Sequence, residues 1–188
     1  MNLVTNNQPP DKTSNFAPSA AFKIAAAAIF AALVAAATLL FVIPIPATSG
    51  YFNLGEVLIY AAALLFGPLV GAVAGAGASI ADALVAAQYA PGTFTIKAIE
   101  GFLVGFLTKK LNQKIGSLII CATIAIIFGG FEMVTGYFLY ETLALGYPVT
   151  LAALEVPFNI IQMFIGLIIA VPIMHAVLRI FPQLKSQF

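Results

Sequence analysis

Apolar positions along this chain of 188 residues come in long unbroken runs, separated by short polar or proline-containing breaks. A membrane β-barrel would show segments of about 10 residues alternating apolar and polar, whereas a helix needs about 20 apolar residues to cross a bilayer. The runs therefore predict helices. Residues 1–19 are polar, carry Pro9-Pro10 and read as a flexible N-terminal tail. A first helix is expected over Ile24–Ile43, closed by Pro44 and Pro46. Gly55–Phe66 predicts a second helix of roughly 18 Å, short of a hydrocarbon core of about 30 Å and fed by an extracytoplasmic loop. Gly67-Pro68 ends it, since proline is best tolerated in a helix's first turn. A third helix is expected over Leu69–Gln88 and a fourth over Thr95–Thr108, followed by a polar hinge at Lys109–Lys114. The fifth spans Ile115–Tyr140, and after Gly146-Tyr147-Pro148 a sixth ends near Phe181. The predicted fold is all-α: a polytopic membrane protein with a six-transmembrane-helix bundle over residues 20–182 and a short tail at 183–188.

Composition agrees with that pattern. The chain is 62% hydrophobic and 8% charged, against about 45–50% and about 25% in soluble domains, and its mean hydropathy is +1.05. A net charge of +1 gives no electrostatic footprint for nucleic acid. The single cysteine, Cys121, lies in an apolar run and offers no internal disulfide. A cleaved signal peptide has a basic start and a shorter apolar stretch, unlike the first run here. Lysines and arginines in short flanks stay cytoplasmic. With both termini inside, Lys12, Lys23, Lys109, Lys110, Lys114, Arg179 and Lys185 fall on the cytoplasmic side, and Lys97 alone is left toward the outside. Glu56, Asp82, Glu100, Glu132, Glu141 and Glu155 show the opposite bias. So do Tyr51, Tyr89, Tyr137, Tyr140 and Tyr147, which fit either an interfacial aromatic belt or rings stacked on a ligand.

Ionisable groups inside a membrane usually face a cavity or a partner, so their helical phases carry information. Gly71, Gly75, Ser79 and Asp82 share one stripe of the third helix, with the glycines as packing positions and Asp82 at the outer end. On the fourth, Lys97, Gly101 and Gly105 align, with Glu100 close enough to neutralise Lys97. On the sixth, Glu155, Asn159, Gln162 and Gly166 share a face. A buried Asn and Gln need hydrogen-bond partners: either neighbouring helices, or a small heteroaromatic ligand with mixed donors and acceptors. Glu132 adds a polar point at similar depth on the fifth helix. Four helices thus offer polar groups at one level near the outer surface.

Several chemistries are absent. No G-x-x-x-x-G-K-[ST] phosphate loop occurs, so ATP hydrolysis by that route is excluded. His175 is the only histidine and lies near the inner end of the last helix, which leaves no basis for a metal site or a His-based triad. No internal repeat of the kind found in many secondary carriers is evident. The first helix is unusually small-sided: Ala28 with Ala32, and Ala31 with Ala35, form Ala-x-x-x-Ala pairs that permit close helix approach.

The run from Ile43 through Tyr51-Phe52-Asn53-Leu54-Gly55-Glu56 to Gly71, with Ile80-Ala81-Asp82, Lys97-Ala98-Ile99-Glu100-Gly101 and Glu155-Val156-Pro157-Phe158-Asn159-Ile160-Ile161-Gln162, resembles the substrate-binding S components of energy-coupling factor (ECF) vitamin transporters. The resemblance is to the riboflavin-like and hydroxymethylpyrimidine/pyridoxine-like branch and covers nearly everything after the tail. It implies a multi-pass protein of a prokaryotic cell membrane that takes up a vitamin or vitamin precursor and is not itself an enzyme. The implied partners are a transmembrane coupling subunit and two cytoplasmic ATPases. It implies no cofactor, with riboflavin, hydroxymethylpyrimidine or pyridoxine as the type of ligand. The implied binding residues are Asn53, Asp82, Lys97, Glu100, Glu132, Asn159 and Gln162, under a lid loop carrying Tyr51 and Phe52. Ala28, Ala31, Ala32 and Ala35 match the motif that docks the coupling subunit. Against this stand two other classes: an ion-coupled carrier with Asp82 or Glu132 as its protonatable site, and a membrane enzyme using paired carboxylates.

Overall fold

The computed structural model describes residues 19–45 and 48–187, so residues 1–18 of the predicted N-terminal tail, with Lys12, and Pro46 lie outside the described residues. Helix α1 (Ala20–Leu40) starts earlier than the apolar run because Ser19 caps it, accepting the Phe22 N–H at 3.2 Å. It ends before Ile43-Pro44, where a residue preceding proline disfavours helix. A two-residue strand β1 (Ile43–Pro44) pairs antiparallel with β2 (Tyr51–Phe52), Pro44 opposite Tyr51, and makes a small hairpin over one end of the bundle. Helix α2 covers Gly55–Phe66, matching its predicted limits.

The third span is α3 (Pro68–Ala76) and α4 (Ala78–Val85), interrupted at Gly77, where α1 comes so close that a Cβ would lie 2.7 Å from Ala31 Cα. The fourth span differs most from expectation. Helix α5 runs from Ala90 to Ile115, with Pro91 in its first turn, and the predicted hinge Lys109–Lys114 is its last turns. Polarity there makes the side chains exposed without ending the helix. Gly116 ends it, at φ +73 in the left-handed region, with its N–H on Asn112 O at 3.1 Å. The fifth span is α6 (Leu118–Leu139), extended by a π turn at Tyr140–Ala144; the sixth is a short α7 (Val149–Ala152) followed by α8 (Val156–Ile180). The predicted C-terminal tail begins as a 3-10 turn, Pro182–Gln187, with Leu184 buried.

Together these spans form a six-helix membrane bundle. Four stretches among the described residues, 20–40, 68–85, 118–144 and 149–180, are long and apolar enough to cross a bilayer. The short α2 is the hub, packed against α1, α3, α5 and α8, with Ile59 to Leu65 all buried. Enclosure by longer helices explains how a helix of 12 residues is accommodated. Glycines hold α3 on α5: a Cβ at Gly75 would collide with the Lys97 carbonyl, and one at Gly101 with the Gly71 carbonyl. The backbones touch as small-residue packing in lipid requires.

Candidate functional site

Hydrogen bonds and ion pairs at the hairpin end draw the hairpin segment, α2, α5 and α8 together. The Asn53 N–H donates to Gln162 Oε1 at 3.0 Å, Gln162 Nε2 donates to Glu56 Oε1 at 2.9 Å, and Lys97 forms an ion pair with that same carboxylate. Lys97 also lies 3.3 Å from Glu100 Oε2, and the Tyr60 hydroxyl donates to Glu100 Oε1 at 2.6 Å. Exposure of Lys97, Glu56 and Glu100 is 3%, 1% and 0%. Burying charge is tolerated when partners replace the lost water. Asn53 in turn holds the start of α2 by accepting the Gly55 N–H at 2.8 Å.

A second group surrounds Asp82. The Tyr51 hydroxyl from the hairpin and the Thr93 hydroxyl from α5 both donate to its carboxylate. Thr93 has one proton to give, so the Tyr137 hydroxyl, 2.9 Å away, is the donor to Thr93. Burial and then the charge of Asp82 push the Tyr51 phenol above its usual range, which keeps its proton in place. Tyr89 sits between Glu155 and Glu141, at 3.1 and 3.4 Å from their Oε1 atoms. These tyrosines point into the protein rather than forming an interfacial belt.

Between the groups lies a cavity of about 30 Å³, lined by Tyr51 and Asn53 of the hairpin side, by Asp82, Tyr89 and Tyr137, and by Glu155, Asn159 and Gln162. The Asn159 side chain, 8% exposed, lines this space and has no side-chain hydrogen-bond partner among the described residues. Its amide opens on the cavity, where its donors and acceptor are free to bond to an occupant.

The profile of the family described as "ECF-type riboflavin transporter, S component" matches residues 20–179. The chain belongs to this family. Its fold agrees with a solved structure described as "Structure and mechanism of the S component of a bacterial ECF transporter", at a TM-score of 0.63 and 17% identity. That likeness, one of fold, covers 85% of this chain and 96% of the other. A Pyrococcus woesei protein described as "Uncharacterized protein in gap 3'region" is 41% identical over 101 residues. The match takes in 53% of this chain and 65% of that relative's length.

In this S component, Asn53, Asp82, Asn159 and Gln162 of the seven expected binding residues line the cavity, as does Tyr51 of the lid. Phe52 sits in the hairpin outside the lining, and Lys97 and Glu100 lie in the ion-pair network beneath it. Glu132, half-buried on α6, lies outside the lining too, with Oε2 unbonded among the described residues. The four alanines divide. Ala28 and Ala32 are exposed, but Ala35 is buried at 7% and Ala31 abuts Gly77 inside the bundle. Sequence reasoning left out Glu56, Tyr60 and Thr93. An acidic residue in the first turn of an otherwise apolar helix was the available signal for Glu56; Tyr60 and Thr93 gave none.

Proposed function

We propose that this chain is the vitamin-capturing S component of an ATP-driven ECF importer, and that its ligand is a small heteroaromatic vitamin or precursor bound beneath the hairpin. Riboflavin is the first candidate from the family description; hydroxymethylpyrimidine and pyridoxine share its mix of ring and polar edge. The observation that carries the reading is the Asn159 amide, which opens on the cavity without a protein partner among the described residues, in a lining that also holds Asp82, Gln162 and three tyrosines. Stacking on tyrosine rings and hydrogen bonds to amide and carboxylate are what such a ring needs.

Ligand sites of this kind run to about 300–1,000 Å³, so the ring enters only when the hairpin moves off the helix ends. Asn53 and Tyr51 are its latches. Lys97, Glu56 and Glu100 hold the floor rather than the ligand. ATP is hydrolysed by two cytoplasmic ATPases, joined to this chain through a transmembrane coupling subunit that packs on the exposed Ala28 and Ala32 face of α1. The loaded chain tips in the membrane as that subunit engages, releasing ligand inward.

The test is native mass spectrometry of the chain purified alone and with its co-expressed neighbours. A bound ring compound and a complex containing an ATPase pair support the reading. Uptake into liposomes by the chain alone, abolished by an uncoupler and by Asp82→Asn, would instead establish an ion-coupled carrier.

A further inference from the structure

At the opposite end of the bundle lies a much larger cavity, of about 600 Å³, between the α5–α6 turn and the end of α8. Its polar wall holds Arg179, Lys185 and His175, with Asn112 and Ser117 across from them. Its floor is apolar, formed by the buried Met174 and Leu178.

Three observations give this cavity a ligand chemistry. Among the described residues, every carboxylate side chain belongs to the hairpin half of the bundle, and no carboxylate pairs with Arg179 or Lys185. Among the described residues these cations have no acidic partner. The start of α6 also opens here, and no side chain caps it; its first amide N–H groups and positive dipole end favour an anion. Finally, the wall continues into residues that face lipid: Ile119 is 47% exposed, with Ile180 at 70% and Phe181 at 48% beside it. By the distribution of lysines and arginines this end is cytoplasmic, at the depth where leaflet headgroups lie. A basic pocket with an apolar floor at that depth suits a phosphate carried on acyl chains better than a soluble phosphoester.

We propose that this cavity binds the phosphate headgroup of an anionic phospholipid of the cytoplasmic leaflet. Arg179 offers paired donors to the phosphate and Lys185 a point charge, the α6 amides complete the shell, and the glycerol and upper acyl region lie on Met174, Leu178 and Ile119. The lipid ties the α5–α6 turn to the end of α8, two segments separate in sequence.

The test uses the full chain in mixed micelles holding equal phosphatidylglycerol and phosphatidylcholine, with retained lipid counted by native mass spectrometry. The expected result is at least about tenfold preferential retention of phosphatidylglycerol, lost in the Arg179→Gln/Lys185→Gln double variant. Lys109→Gln/Lys110→Gln, which alters charges outside the cavity, should keep the preference. Millimolar glycerol 1-phosphate should not displace the lipid. Equal retention of the two lipids, or a preference that survives the double variant, overturns the proposal. Displacement by glycerol 1-phosphate overturns the lipid assignment in favour of a soluble phosphoester. Thermal melting accompanies each variant; should the double variant fail to melt cooperatively, Arg179→Gln alone carries the same comparison.

Discussion

Gln162 of α8 donates to Glu56 of α2 at 2.9 Å, and the same amide accepts the Asn53 N–H at 3.0 Å. One side chain therefore ties the hairpin segment to a buried ion pair. Gln162→Leu should remove both bonds and leave the Asn53 N–H without its acceptor. A loss of about 1.5–3 kcal/mol follows from unmaking such bonds, which is roughly 10- to 150-fold in ligand affinity. Titration calorimetry on wild type and variant measures it, with a melting curve confirming that the variant remains folded.

Lys97 is best tested by the difference between holding the floor and touching the ligand. Removing one member of a buried ion pair costs about 3–5 kcal/mol, so Lys97→Met should lower the melting temperature sharply. Adding Glu56→Gln should restore part of it, since the uncompensated carboxylate at position 56 is then gone and Tyr60 still donates to Glu100. A single variant that melts like wild type yet binds no ligand would place Lys97 at the ligand instead.

The first helix makes a prediction that separates two pairs of similar residues. Ala28 and Ala32 face outward, while Ala35 is buried and Ala31 presses on Gly77. Ala28→Trp and Ala32→Trp should leave ligand binding intact and abolish co-purification with the coupling subunit and transport. Ala35→Trp should instead reduce folded yield, because overpacking a close-packed interior costs about 1–3 kcal/mol or more.

Much of this was legible in the sequence because membranes leave few ways to satisfy a backbone. Long apolar runs gave the spans, lysine placement gave their direction, and the Gly71/Gly75 and Gly101/Gly105 stripes gave the face on which α3 meets α5. Helix ends were less legible: polarity at Lys109–Lys114 looked like a hinge, although these residues are tolerated in a helix and only Gly116 leaves it. The pairing of Lys97 with Glu56 was hidden by their separation in the chain. Sequence places Glu100 one turn from Lys97, but which carboxylate crosses from another helix depends on how α2 is seated. The division of the alanines was hidden for the same reason, since Ala31 and Ala35 turn inward only once Gly77 admits α1.

Tyr51 tests the lid. Its hydroxyl donates to Asp82, and the hairpin has only a two-pair ladder of its own. Tyr51→Phe should raise the ligand dissociation rate by about tenfold, the loss of one hydrogen bond to a charged acceptor being worth about 1.5 kcal/mol or more. The melting temperature should change little. Stopped-flow chase with unlabelled ligand provides the rate.

The central claim is that the Asn159 amide receives a vitamin ring beneath the hairpin, and flavin fluorescence tests it most directly, helped by a chain without tryptophan. Titrating riboflavin with purified protein should quench the flavin at one-to-one stoichiometry, and Asn159→Ala should weaken binding by at least about tenfold with its melting temperature preserved. Hydroxymethylpyrimidine and pyridoxine, added as competitors, rank the ligands. Absence of binding by all three, or equal affinity in wild type and Asn159→Ala, would contradict the account.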